Sequence, residues 1–188
     1  MLRFAVPEDA ETLRAIYAQY IDTSVTFEYD LPTAEEFRRR IEDISDAYPY
    51  LVWEEDGVPL GYAYAHRYRE RAAYQWGAEL SVYLDRDARG RGLGTKLYRA
   101  LTALLALQGV RTAYGVVTQP NERSDRLHAS LGFLPAGTVH NAGWKNGAWH
   151  DVTTFELPIG DFSAPPTPLK SFRDVDPSAA ARVLAELR

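Results

Sequence analysis

The sequence predicts an α+β domain built on a mixed sheet, and three observations predict it. Apolar residues alternate in short runs such as YLVWEE (50–55) and AELSVYLD (78–85). They recur at helical spacing in others, such as LYRALTALLALQ (97–108). The two kinds follow one another as β-α-α-β-β-β-α-β-α-β-β, which is not a regular β-α array.

Each element has a local reason. LRFAV (2–6) reads as a short strand. PEDAETLRAIYAQYI (7–21) places Leu13, Ile16, Tyr17 and Tyr20 on one helical face, with Pro and acids in the first turn. DTSVTFEYDLP (22–32) is a loop or short extended piece. Thr33 and Glu36 form a capping-box pattern that opens a helix, TAEEFRRRIEDIS (33–45). YLVWEE and VPLGYAYAHRYRE (58–70) flank Asp56-Gly57, a hairpin signal. The strand 78–85 leads through a glycine-rich stretch into a long amphipathic helix ended by Gly109. TAYGVVT (112–118) is a strand and NERSDRLHASLG (121–132) a helix. FLPAGTVHNAGWKNGAWHDVTTFELP (133–158) makes two strands around a turn.

With 188 residues, 46% of them hydrophobic and 25% charged, the chain is long enough for one domain with a real core. The boundary falls at about residue 160. Residues 1–160 form the domain, and Pro-rich SAPPTPL (163–169) sets apart a tail, 161–188, which ends in a last helix or a solvated appendage.

Composition excludes several classes. No apolar run approaches the ~20 residues that span a bilayer, and the start lacks the pattern of a signal peptide, so no membrane partner is expected. The absence of cysteine removes disulfides, thiolate metal sites and a Cys nucleophile. Cytoplasmic residence is the default expectation. A net charge of −5 argues against a nucleic-acid partner, which would call for a basic stripe. The arginines at 86–91 are therefore a local feature suited to a small polyanion.

Those arginines stand among the glycines of DRDARGRGLGTKL (85–97). A nucleoside-triphosphate loop would need G-x-x-x-x-G-K-[ST], but here the glycines are too close and Thr95-Lys96 is inverted. A dinucleotide fingerprint fails because Leu97 stands where a third glycine belongs. What remains is Arg89-x-x-Gly92-x-Gly94 between a strand and a helix. Missing Cβ atoms let phosphate oxygens approach the helix N-terminal amides, where the dipole favours an anion. A plain glycine turn with solvated arginines is the rival reading of these residues alone.

Here the sequence resembles the GCN5-related N-acetyltransferase superfamily. Arg89, Gly92 and Gly94 match its acetyl-CoA signature, Q/R-x-x-G-x-G/A, in the strand–loop–helix setting. Asn121, Ser124, His128 and Leu131-Gly132-Phe133 match its second cofactor helix. The resemblance covers residues 2–157. It is narrowed by YIDTSVTFE, AYPYLVWEEDG, YRERAAYQWGAELSVYLD and AGWKNGAWHDV, which look like the phosphinothricin and methionine sulfone/sulfoximine acetyltransferase branch. It implies a V-splayed mixed sheet with acetyl-CoA entering between strands 78–84 and 112–118, and a homodimer.

The resemblance also implies site residues. Glu79 would be the base that takes a proton from the acceptor amine, and as a carboxylate in an apolar strand it is costly to bury without a use. Backbone groups of Val82, Tyr83 and Leu84 would pair with the pantetheine arm. Arg89, Gly90, Arg91, Gly92, Leu93, Gly94 and Thr95 would cradle the pyrophosphate, and Asn121 and Ser124 would hold the arm. His128 stands where many relatives carry a Tyr thought to protonate the leaving thiolate; it would donate that proton, hydrogen-bond the reacting centre or be a satisfied core histidine. Arg69 and Arg71, with Phe27 and Tyr74, would bind an acidic amino-acid-like acceptor. No metal is called for.

Three functions stay open at this level. The foremost is direct acetyl transfer, within a ternary complex, to the α-amine of a small amino-acid analogue. The others are acetylation of a protein N-terminus or other amine, and a non-catalytic acyl-CoA-binding module. Glu79 speaks against the module, because cofactor binding alone has no need of it.

Overall fold

The chain enters through a three-residue strand, β1 (Leu2–Phe4), and a Pro-led 3-10 turn continues into α1 (Ala10–Ala18). The computed structural model describes residues 1–187. After an irregular segment, Thr33 caps α2 (Ala34–Ala47): its hydroxyl accepts from Glu36 N–H while Glu36 reaches back, the reciprocal box that its spacing predicts. β2 (Tyr50–Glu55) and β3 (Val58–Arg67) form a hairpin whose turn residues, Asp56 and Gly57, both have positive φ. Then come β4 (Gly77–Leu84), α3 (Leu93–Gln108), β5 (Thr112–Thr118), α4 (Glu122–Ser130), β6 (Leu134–Lys145), β7 (Ala148–Pro158) and α5 (Pro177–Glu186).

The strands form one sheet in the order β1-β2-β3-β4-β5-β7-β6. Every pairing is antiparallel except β4 with β5. Alternation along the strands divides the core in two. Tyr50, Val52 and Tyr62 pack with α1 and α2 through Leu13, Ile16, Phe37 and Ile41. Leu51, Trp53, Ala63 and Ala65 face the other way, against Leu97, Leu101, Leu104 and Leu105 of α3, all fully buried. Truncating any one of these leucines to Ala would cost about 2–5 kcal/mol, the range for buried leucines.

The segment after residue 160 joins this second core. Ala180 and Leu184 of α5 are buried in it, and Phe172 packs on Phe4 with ring centroids 5.6 Å apart. A helix closes this segment and packs on the domain that precedes it. Gln108 ties it down, donating to Ala47 O at 2.7 Å and Lys170 O at 2.8 Å.

The single parallel pairing matters most. β4 and β5 are in register only from Gly77–Thr112 to Leu80–Gly115, and beyond Leu80 they part. Tyr98 of α3 is buried at the divergence, its hydroxyl donating to Leu80 O at 3.3 Å. The sheet is therefore splayed, as the resemblance implies.

Candidate active site

Pairing on the other side of β4 decides which backbone groups open into the splay. Asp85 N–H bonds Leu60 O and Tyr68 N–H bonds Gly77 O, so odd-numbered residues of β4 exchange hydrogen bonds with β3. Even-numbered residues turn their groups toward β5. Tyr83 is thus committed to β3. Leu84 faces the splay, but Tyr20 occupies it: the Tyr20 hydroxyl donates to Leu84 O at 2.6 Å and lies 3.2 Å from Leu84 N. Of the three residues expected to offer backbone groups, Val82 alone has an N–H and C=O facing the splay with no strand partner.

The glycine loop lies where this strand ends. Asp85 caps a 3-10 turn at Arg86–Ala88, and α3 begins at Leu93 with Gly92 as its N-cap. Gly90 and Gly92 hold φ of 77° and 75°, the left-handed region that a side chain resists, and a Cβ at either would meet nothing within 4 Å. Conformation demands the glycine, and the space before it is open. The first helical amides, at Leu93, Gly94 and Thr95, have no intrahelical acceptor and no capping side chain. Gly94 differs: a Cβ there would stand in ordinary contact with Leu127, 3.5 Å away.

The arginines are not equivalent. Arg86 donates to Gln19 O, and its own N–H bonds Gln19 Oε1. Arg91 is paired with Glu55 at 2.6 Å. Arg89 lies over the Tyr20 ring, 4.9 Å from its centroid, with no carboxylate bound among the described residues. Of the groups that the sequence suggests for a polyanion, Arg91 is balanced by Glu55, while the amides of residues 93–95 and Arg89 have no such acid partner among the described residues.

Across the splay, a narrow cavity is lined by Leu80–Tyr83, Val116–Thr118, Val25, Tyr98, Asn121, Ser124 and His128. Asn121 caps α4 through Oδ1 to Ser124 N–H at 3.2 Å. His128 is buried; its Nδ1 is 2.8 Å from Ser124 O and 3.3 Å from Ser124 Oγ. A carbonyl only accepts, so Nδ1 carries the hydrogen and Nε2 a lone pair. That Nε2 is buried with no hydrogen-bond partner among the described residues. Burial holds the imidazole below its ordinary pKa and thus neutral. Its ring stacks on Phe155 at 5.0 Å and meets Phe133 and Tyr98 edge-on.

A second cleft, of about 440 Å³, opens on the α1/α2 side of the sheet. Glu79, Ser81 and Tyr83 line it from β4, and Tyr62, Tyr64 and His66 from β3. Phe27, Glu28 and Arg40 close it from the helical side. Ser81 and Tyr83 line both cavities, so cleft and splay meet at those residues. Glu79 is half-buried, and burial raises its carboxyl pKa, opposed by the charge of His66, whose Nε2 is 3.7 Å away. Arg40 and Glu28 pair at 2.8 Å. Phe27 lies flat against Gly143, where a Cβ would stand 2.7 Å from Cζ.

The hairpin of β6 and β7 anchors that wall. Lys145, buried, donates to the carbonyls of Ile21, Thr26 and Glu28 at 2.6–2.8 Å. Tyr29 OH donates to Trp144 O.

Arg69 and Tyr74 stand elsewhere. The Arg69 guanidinium lies over Tyr68 and Tyr74, 5.1 and 5.3 Å from their centroids. Tyr68 and Tyr74 line a separate cavity of about 310 Å³ with Trp76, Tyr114 and Arg111. Arg71 precedes the short turn that carries Tyr74 and accepts its N–H through the backbone carbonyl. None of the three lines the cleft that holds Glu79, although Tyr114 lies opposite Glu79 in the ladder.

Arg40, His66 and Tyr64 escaped the sequence reading. The signals were present. Phe37, Arg40, Ile41 and Ile44 share a helical face, so Arg40 is a cation on an apolar stripe. His66 and Tyr64 alternate with core alanines on β3. Among the described residues no group of three His, Cys, Asp or Glu is placed to hold a metal ion, and no helix is long and apolar enough to cross a membrane.

Comparison with known proteins meets this geometry. Residues 2–154 match the family described as acetyltransferase (GNAT) domain. The phosphinothricin N-acetyltransferase of Streptomyces viridochromogenes is 38% identical over 174 residues, covering 90% of this chain and 92% of that protein. The L-methionine sulfoximine/L-methionine sulfone acetyltransferase of Salmonella typhimurium is 36% identical over 118 residues, 63% of this chain and 69% of that one. A crystal structure of a GNAT superfamily phosphinothricin acetyltransferase from Sinorhizobium meliloti, in complex with acetyl-CoA, superposes with a TM-score of 0.85 at 33% identity. That superposition covers 94% of this chain and 95% of the other.

Proposed function

From the premise that this chain belongs to the acetyltransferase (GNAT) family, we propose that it acetylates the α-amine of a small amino-acid analogue of the phosphinothricin or methionine sulfone/sulfoximine type. One observation carries the reading: the cleft holding Glu79 and the splay holding the open backbone of Val82 meet at Ser81 and Tyr83. An amine entering from one side and a thioester from the other would come together there, which suits direct transfer. The substrate names of the relatives support the acceptor class.

Acetyl-CoA fits the residues present. The open space before Gly90 and Gly92, the amides of residues 93–95 and Arg89 would hold its pyrophosphate. Val82 would bond the pantetheine arm as a neighbouring strand would, beside Asn121 and Ser124. Glu79 would take the proton of the acceptor ammonium, its raised pKa matching that task better than that of an exposed carboxylate. With its Nε2 unprotonated, His128 is suited to accept a hydrogen bond at the reacting centre rather than to protonate the thiolate.

Phe27 would pack the acceptor, and Arg40 would supply positive charge in the cleft. Tyr74, with Arg69 over its ring and Arg71 at the start of its turn, would act on the distal acidic group of an acceptor long enough to reach the separate cavity that Tyr74 lines. We read the assembly as a homodimer acting in the cytoplasm. Exposed Leu134, Val139, Trp144 and Trp149 on the outer hairpin form an apolar surface suited to a second copy.

The test is acetyl-CoA turnover against phosphinothricin, methionine sulfone, methionine sulfoximine, the free amino acids and a peptide with a free N-terminus. The reading expects the first three to lead. A peptide acetylated faster than all of them would overturn it.

A further inference from the structure

We propose that His66 is the proton outlet of Glu79, a positioning residue that carries the proton of the acceptor amine from the half-buried carboxylate to solvent. The proposal rests on the reading of Glu79 as the base.

Four observations support it. His66 and Glu79 lie directly opposite one another in the β3–β4 ladder, with both side chains on the face that lines the acceptor cleft. Nδ1 of His66 is 3.0 Å from its neighbour's carbonyl, Arg67 O. That oxygen only accepts, so Nδ1 holds the hydrogen and Nε2 presents its lone pair. Nε2 is the atom that faces Glu79 Oε1, at 3.7 Å, a gap closed by a small rotation of the carboxylate. Exposure then falls in the right order: the Glu79 side chain is 25% exposed and that of His66 41%, so the path runs outward.

The protons balance. The ammonium gives one proton to the Glu79 carboxylate and becomes the neutral nucleophile. The carboxyl passes it to Nε2, making an imidazolium with Nδ1–H still on Arg67 O, and Glu79 returns to its ionised form. The imidazolium releases the proton to water at its exposed edge. An imidazole, which gains and loses a proton near neutral pH, is the side chain suited to this.

The tyrosines around the pair keep their protons near neutral pH. Burial raises the hydroxyls of Tyr64, Tyr98 and Tyr114 above their ordinary value, and Tyr17 is pushed up to about 12. Arg40 and Glu28 are paired with each other. While protonated, His66 also holds Glu79 ionised by charge attraction, against the pull of burial.

The test compares pH profiles of kcat/KM for the full chain, His66→Gln and Glu79→Gln, with acetyl-CoA and one active acceptor. Removing the histidine leaves only burial acting on Glu79. The acid limb should therefore move to higher pH, lowering kcat/KM on that limb while the plateau above it changes less. Imidazole added to the assay should restore part of the loss. A His66→Gln profile superimposable on the parent, or a loss uniform across pH and deaf to imidazole, would overturn the proposal. Full activity in Glu79→Gln would instead remove Glu79 as the base, a failure of the underlying reading seen without reference to His66.

Discussion

The imidazole of His128 occupies the place that a side chain at Gly115 would take: a Cβ there would lie 2.7 Å from Cδ2 and closer still to Nε2. A glycine on β5 and a histidine on α4 are one packing unit. Its partner Phe155 stands opposite Gly115 on β7 and closes the unit from the far side.

Gly115→Ala should therefore displace the ring or the strand and destabilise the fold by about 1–3 kcal/mol, the usual cost of overpacking a core. Gly94→Ala makes only ordinary contact and should leave stability unchanged or raise it. Urea unfolding of the two variants beside the parent chain separates them. Equal midpoints for Gly115→Ala and the parent would show that the ring moves without cost.

His128 also sets a pH dependence. Its folded pKa lies below its ordinary value of 6.5, so the unfolded chain takes up its proton first as pH falls. Stability from this group is present above pH 6.5 and is lost as pH falls from there toward the folded pKa. His128→Phe, which keeps the aromatic packing, should show a shallower loss of thermal midpoint over that interval. Parallel slopes for the two proteins would contradict it.

The glycine loop makes a third test. Gly92→Val places a branched side chain at φ 75° and in the open space before α3. Acetyl-CoA affinity, measured by calorimetry on protein shown folded by circular dichroism, should fall at least about tenfold, or 1.4 kcal/mol. Arg89→Ala should weaken binding more than Arg91→Ala, because Glu55 already balances Arg91. The Arg89 effect should shrink at high salt. Unchanged affinity in folded Gly92→Val would place the pyrophosphate elsewhere.

Glu79→Gln separates a catalyst from a binding module. It keeps the size and hydrogen-bonding capacity of the residue but cannot take the ammonium proton. kcat should fall about 10²–10⁴-fold, the worth of a positioned base. Acetyl-CoA affinity should stay as it was, and part of the rate should return at high pH, where the free amine needs no base. A pH–rate profile with one acceptor reads the fall and the recovery, and calorimetry with acetyl-CoA reads the affinity.

Lys145→Met removes the ammonium that three carbonyls of the 21–28 segment share. The buried carbonyl of Thr26, orphaned, costs about 1–3 kcal/mol, and those of Ile21 and Glu28 are part-buried, so this wall of the cleft should loosen. Amide exchange across residues 21–29 should quicken and KM for the acceptor rise, with acetyl-CoA affinity unaffected. A KM equal to the parent's would mean that the wall stands without its clamp.

Much of this was legible in the residues because the signals are local. The Thr33/Glu36 box, the Asp56-Gly57 turn, the αL glycine at 109 and the strand–glycine–helix order all declare themselves within a few positions. What escaped depends on register and on distant partners. That Tyr20 consumes both backbone groups of Leu84 joins residues 64 apart in the chain, and no local pattern encodes it. Arg69 and Arg71 stand out in the sequence as charges before the β4 strand, yet Arg40, from a helix far upstream, lines the cleft. Side-chain alternation placed Glu79 on a face. Only strand pairing showed that His66 stands opposite it.

The open amide at Val82 has a bearing on how such a chain is surveyed and how it varies. The groups it turns into the splay belong to the main chain, so replacing its side chain by alanine leaves both in place. A scan of side-chain deletions would read only the packing of Val82 against the core and would pass over the backbone groups. Proline is the one encoded residue that erases the N–H, and a backbone ester at this peptide removes it without disturbing the side chain. What inheritance must guard instead is the point at which the ladder stops, and that is written in Tyr98 and Tyr20.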